Sequence, residues 1–136
     1  MKNNKEFIST QKFVRMSPKK IRVVVNAIRK MSPEKAVEVL PYAGKRAAEP
    51  LAKTIKSAIA NARIQGAKPE DLEFKEIQIG EGPRLKRGLA APKGRYHPVL
   101  KRMSHIRVVL TTKSQIPNSK SQISEVKKTV KKGEAK

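Results

Sequence analysis

Between Arg84 and Arg107 the chain places Arg84, Lys86, Arg87, Lys93, Arg95, Lys101, Arg102 and Arg107, and no Asp or Glu. Cations at this density, with no acid to neutralise them, displace counterions from a polyanion and settle on its phosphates. The middle of the segment, Gly88-Leu89-Ala90-Ala91-Pro92-Lys93-Gly94-Arg95, has no helical or strand periodicity that could bury a face. Unpatterned stretches of this length are either functional or unstructured.

The runs on either side, Leu72–Gly80 and Ile106–Thr111, read as strands, so the basic segment is expected to be a long hairpin over about residues 82–104. With about ten residues per arm at roughly 3.3 Å each, its tip would stand about 30 Å clear of the body. An arm so exposed and so uniformly basic needs an anionic partner to lie against.

The elements that must carry this arm can be read in order. Phe7 to Arg15 is rich in β-branched and aromatic residues and predicts a short strand. Ser17-Pro18 supplies an N-cap and a proline at the first helical position. The helix it opens puts Ile21, Val24, Val25 and Ile28 on one face and Lys19, Arg22, Asn26 and Arg29 on another. A basic row of this kind is often only a solvated face. Here phosphate contact is favoured, because no acid occurs between Arg15 and Met31. Ser32-Pro33 repeats the start signal for a short helix with Ala36, Val37 and Leu40 inward, stopped by Pro41 and Gly44. Lys45 to Ile64 is the longest helical pattern, with Leu51, Ile55, Ile59 and Ala62 inward, and Lys53, Lys56 and Arg63 outward; Pro50 limits its regular part to a start just before it. Leu72, Phe74, Ile77 and Ile79 support a strand whose inward phase changes after Phe74, predicting a bulge that would re-aim the arm. Ile106, Val108 and Leu110 alternate with Arg107 and Val109. The count is three strands and three helices in a single domain over residues 1–112. Residues 113–136 form a tail rich in Lys, Ser and Gln, read as disordered.

Composition narrows the function. A formal net charge of +21 on 136 residues favours nucleic acid, acidic lipid or heparin-like chains. Aromatics are sparse, namely Phe7, Phe13, Phe74, Tyr42 and Tyr96, so contact with phosphate and RNA shape is expected over base stacking. The chain has no cysteine, which excludes disulfides and thiolate metal sites, and no apolar run near the roughly 20 residues that span a bilayer. No apolar signal core follows Met1, and the expectation is an intracellular, soluble protein.

Catalytic readings fare poorly. Glu70, Asp71, Glu73 and Glu76 could suggest acid–base or metal chemistry, yet they fall at a turn and on alternating strand positions; a counterweight to the basic surface, on the side away from the partner, is the simpler reading. His97 and His105 have no acid or cysteine in their segment to orient them. No phosphate-loop pattern occurs. The chain is expected to be neither an enzyme nor a holder of cofactor or metal. Two binding classes remain: a structural RNA-binding protein of a large ribonucleoprotein, and a DNA-binding factor using consecutive helices as a helix-turn-helix. A DNA reader needs Gln, Asn, Ser or Arg aimed at base edges, and the helix after Ser32 offers Glu34, Lys35 and Glu38. The first class is favoured.

Five blocks sharpen it: Ser17-Pro18-Lys19-Lys20-Ile21-Arg22, Lys56-Ser57-Ala58-Ile59-Ala60-Asn61-Ala62, Gly82-Pro83-Arg84-Leu85-Lys86-Arg87, Lys93-Gly94-Arg95 and Lys101-Arg102-Met103-Ser104-His105-Ile106. In this order, over about Phe7 to Thr112, they resemble the bacterial ribosomal protein L22 (uL22) family. The resemblance implies an α+β fold in which three helices pack on a small three-stranded antiparallel sheet with a long protruding β-hairpin. It implies a cytoplasmic structural constituent of the large ribosomal subunit. Its partners would be large-subunit (23S-type) ribosomal RNA, neighbouring ribosomal proteins and the nascent polypeptide, with no membrane. The body would sit near the exit of the polypeptide tunnel. RNA contacts would fall to Lys19, Lys20, Arg22, Arg29, Lys53, Lys56, Arg84, Lys86, Arg87, Lys93, Arg95, Lys101, Arg102 and Arg107. The hairpin would line the tunnel with Gly88, Leu89, Ala90, Ala91, Pro92, Lys93, Gly94, Arg95 and Tyr96, near the constriction where macrolides bind. Three departures fall at that tip. Ala90-Ala91-Pro92 replaces a proline-arginine-alanine run, Pro98 stands where an arginine is common, and Tyr96-His97 is unusual.

Overall fold

A computed structural model describes residues 5–112; the tail read as disordered lies outside the described residues. The elements are β1 (Phe7–Val14), α1 (Pro18–Ile28), α2 (Pro33–Val39), α3 (Ala48–Ile64), β2 (Leu72–Ala90) and β3 (Tyr96–Thr112), with short 3-10 turns at Leu40–Ala43, Pro69–Asp71 and Pro92–Gly94. The sheet is antiparallel in the order β1-β3-β2, so β3 is central and the other two are edges.

Burial follows the predicted periods. Ile21, Val24, Val25 and Ile28 of α1, and Leu51, Ile55, Ala58 and Ala62 of α3, pack on Phe7, Ile106, Val108 and Leu110 of the sheet. Small residues on α3 bring its backbone close to that sheet, and Leu40 and Leu72 close the ends. Val109, expected on the open face, is also buried.

Both edge strands are capped by side chains from the helices. Asn61 Nδ2 on α3 donates to the carbonyl of Ile8 at 3.0 Å, and Arg22 Nη2 on α1 donates to the carbonyl of Ile79 at 3.0 Å. An edge strand otherwise presents unpaired backbone to any passing strand, so these bonds protect as well as hold.

Ser17 and Ser32 precede their helices with extended backbone, each followed by proline, but neither hydroxyl caps the helix. The Ser17 carbonyl accepts from Lys20 N at 3.1 Å and the Ser32 carbonyl from Ala36 N at 2.9 Å. The start is therefore set by backbone conformation and by a proline that has no N–H to satisfy.

The predicted bulge lies between Phe74 and Glu76. A second, unforeseen one lies between Glu81 and Arg84, where Gly82-Pro83 face Met103. A Cβ on Gly82 would lie 3.1 Å from the Met103 carbonyl carbon and 3.2 Å from Ser104 N, tighter than most side chains pack, so the facing backbone would have to give by a few tenths of an ångström. Glycine permits the approach, and proline brings no N–H that would need a partner. This bulge, at the root of the arm, aims it.

Beyond the root the ladder continues from Arg84↔Arg102 to Ala90↔Tyr96. Gly88–Arg95, read as unpatterned, is therefore paired up to Ala90, and only residues 91–95 turn. The turn closes with Ala91 N donating to the Arg95 carbonyl at 2.9 Å, with Lys93 and Gly94 at φ 63° and 67°. No periodicity was visible because an arm without a core has no face to bury: none of its side chains between Arg84 and Arg102 is buried.

Candidate nucleic-acid interface

Every residue expected to touch RNA is exposed: Lys19, Lys20, Arg22 and Arg29 along α1 and its end, Lys53 and Lys56 on α3, and the cations of β2, the tip and β3. The fold sorts them into groups.

The largest group meets at the root of the arm. Arg15 at the end of β1, Lys20 in the first turn of α1, Lys45 and Arg46 before α3, and Lys101 and Arg102 on β3 line one open cleft of about 980 Å³. Among the described residues no carboxylate lines it. Three of these residues, Arg15, Lys45 and Arg46, were not among the candidates. Lys45 and Arg46 precede the regular helix and Arg15 follows a strand, so no periodicity marks them; the acid-free span beginning at Arg15 was the available signal. Lys53 approaches the same region through a shallow hollow beside Arg15 and Arg46, held by Glu49 at 2.8 Å. That bond and the Lys53 charge hold the Glu49 carboxyl below its ordinary pKa.

A smaller cleft of about 250 Å³ lies alongside, where the start of α1 (Ser17, Pro18, Lys19) faces Arg84 and Arg102. Here an acid does enter, from just outside the basic segment: Glu81 Oε2 accepts from Arg84 Nη2 at 3.0 Å. A third hollow, between α1 and β2, gathers Arg22, Asn26 and Arg29, with Glu76 and Lys75 on its opposite wall. Glu76 is thus not removed from the basic surface as the alternating strand pattern suggested: it lines this hollow while its Oε1 accepts from Gln78 Nε2 at 2.7 Å. Lys75 instead pairs with Glu6.

The remaining candidates are dispersed. Lys86 and Arg87 lie along the arm, Lys93 and Arg95 at its turn, Lys56 further along α3, and Arg107 on the open face of the sheet opposite Thr10. At the tip the Tyr96 ring lies across Gly88, occupying the space that a Cβ on Gly88 would need. Leu89 and Tyr96 are both largely exposed there.

His105, which lacked an orienting partner in the sequence, has one in the fold: its Nδ1 accepts from the backbone N–H of Phe13 at 3.0 Å. That bond fixes a bulge in β1. Among the described residues no His, Asp or Glu cluster is spaced to hold a metal, and no helix is long and apolar enough to cross a membrane. As a DNA reader the chain has little to offer, because α2 exposes Lys35, Glu38 and Val39.

A small α+β body with a cationic cleft, continued by a cationic hairpin without a buried side chain, has the shape and charge of a nucleic-acid-binding structural protein. The sequence profile of the family described as ribosomal protein L22p/L17e matches residues 9–111, and the chain belongs to that family. It is accordingly a ribosomal protein, a structural constituent of the large subunit that binds ribosomal RNA alongside other ribosomal proteins.

Proposed function

We propose that the chain is a bacterial-type, cytoplasmic member whose body sits by the exit of the nascent-polypeptide tunnel and whose hairpin threads between RNA domains to line that tunnel. Residues 1–112 act as one RNA-binding domain. The body grips RNA through Lys19, Lys20, Arg22, Arg29, Lys53, Lys56 and Arg107, together with the cleft residues Arg15, Lys45 and Arg46. The arm does so through Arg84, Lys86, Arg87, Lys93, Arg95, Lys101 and Arg102. Gly88 to Tyr96 face the passing polypeptide. The mechanism is scaffolding: cations replace counterions along phosphates, and a two-stranded arm that orders against RNA fixes the spacing of RNA segments that fold separately.

The observation that carries this reading is the arm itself, fully paired to Ala90↔Tyr96 yet without a buried side chain. A hairpin of this length has little to hold it in water, and RNA walls would supply the missing contacts. The test is sedimentation of a lysate on sucrose gradients at low and then high salt, with immunodetection of the chain. Migration with the large subunit that survives the high-salt wash is expected. Release into light fractions at modest salt would mean surface adhesion and would reopen the DNA-binding reading.

A further inference from the structure

The sheet face turned away from the helices carries a hollow that phosphate contact alone leaves unexplained. Its centre is Phe13, which sits in the β1 bulge at φ 58° and is 59% exposed. A left-handed backbone is costly for a residue with a Cβ, and the usual occupant of such a bulge is glycine. Here the conformation holds a phenyl ring against solvent. His105 steadies it twice, accepting the Phe13 N–H at 3.0 Å and meeting its ring in a T-shaped contact with centroids 4.9 Å apart. Lys12, Arg107 and Thr10 line the same hollow of about 690 Å³ together with Gln78, whose Nε2 donates to Glu76 Oε1 at 2.7 Å; among the described residues no carboxylate lines the hollow itself.

We propose that this hollow receives one unstacked RNA base, laid against Phe13, with the adjoining phosphates on Lys12 and Arg107 and the base edge within reach of Gln78. An exposed aromatic held by His105, with two cations and an amide in the same hollow, has the chemistry by which proteins hold bases splayed from folded RNA. Two cations and an exposed ring in one hollow argue for a nucleotide over a protein segment. The inference rests on the reading of the chain as an RNA binder. It adds a base-specific contact to a surface that otherwise recognises only phosphate.

The experiment uses the full chain and large-subunit ribosomal RNA transcribed in vitro, with affinity measured across a salt series for wild type, Phe13→Leu, Phe13→Tyr and Arg107→Gln. Phe13→Leu is expected to weaken binding about tenfold at every salt concentration with the salt slope unchanged, as lost stacking requires. Phe13→Tyr should restore it, and Arg107→Gln should lower the slope by about one phosphate contact. Tight wild-type binding left intact by Phe13→Leu would overturn the base site and leave the RNA-binding reading standing. Failure of the wild type to bind would overturn both. Ultraviolet cross-linking of the wild type in assembled subunits needs no variant: a Phe13–nucleotide adduct supports the proposal, and an adduct to a neighbouring protein instead overturns it.

Discussion

Arg84 and Arg102 stand directly opposite each other across the β2–β3 ladder, both exposed, at the root of the arm. Like charges in a cross-strand pair repel, and the only relief within the described residues is Glu81, bonded to Arg84 at 3.0 Å. Two guanidinium groups held together in a cleft at the start of α1 are costly in isolation and favourable around a phosphate. Replacing Arg102 by Thr should therefore stabilise the free protein by roughly 0.5 kcal/mol while weakening RNA binding. The salt dependence of that binding should fall by about one contact. Thermal melting and a salt titration on one preparation check both signs; a variant less stable than wild type would remove the repulsion argument.

The tip carries its own clamp. Tyr96 and Gly88 are diagonal neighbours in the ladder, and the ring covers the glycine backbone. Gly88→Ala would displace that ring, and Tyr96→Ala would uncover the strand. Both are expected to accelerate amide exchange between Gly88 and Arg102 in the RNA-free protein without changing exchange in α3, since the arm shares no core with the body. Protection of the wild-type arm should already be weak, because opening it exposes no buried side chain. Strong protection of this segment in the free protein would contradict that picture.

What the sequence disclosed and what it hid divide along a physical line. Ile21, Val24, Val25 and Ile28, or Ile106, Val108 and Leu110, announce themselves because burial repeats with the period of the element. The arm was legible as a hairpin from its flanking strands and its charge, though not as a ladder, because pairing without burial leaves no pattern. The cleft residues Arg15, Lys45 and Arg46 come together only through the packing of β1, α1 and α3, and the bulge at Gly82-Pro83 exists only against Met103. Phe13 is the hardest case. Nothing in Gln11-Lys12-Phe13-Val14 marks a left-handed residue, and a shortage of aromatics argued against stacking until the fold put one on an open face.

Glu49 and Lys53 offer a pH-dependent test. The Lys53 hydrogen bond and charge lower the Glu49 pKa from the ordinary 4.5. A folded value below the unfolded one means that the pair stabilises the protein at neutral pH and that this contribution is lost as the pH falls through the folded value. The pair is solvent-exposed, so the effect is small. Glu49→Gln should lower the melting temperature slightly at pH 7, and the difference should shrink as the pH falls and the carboxyl protonates. The same variant frees Lys53 beside Arg15 and Arg46 and should tighten RNA binding. Weaker binding by Glu49→Gln would show that Lys53 makes no phosphate contact.

The arm's length is the last lever, and register decides how to pull it. Deleting Leu85-Lys86-Arg87 alone removes an odd number of residues from one strand, and a ladder slipped by three turns every side chain on that arm to the opposite face. Deleting their partners as well, Val99 to Lys101, keeps the register and shortens the arm by about 10 Å, while the odd count turns the side chains beyond the cut, Lys93 and Arg95 included, to the opposite face. None of these six side chains is buried, so the shortened protein should melt within about 0.5 kcal/mol of wild type. If the tip borders the tunnel constriction, ribosomes carrying the paired deletion should show an altered response to macrolides, and the single-strand deletion should alter it differently because it also breaks the pairing register of the arm. Unchanged drug sensitivity in ribosomes shown to contain the shortened arm would separate the tip from the tunnel while leaving the body's grip on RNA untouched.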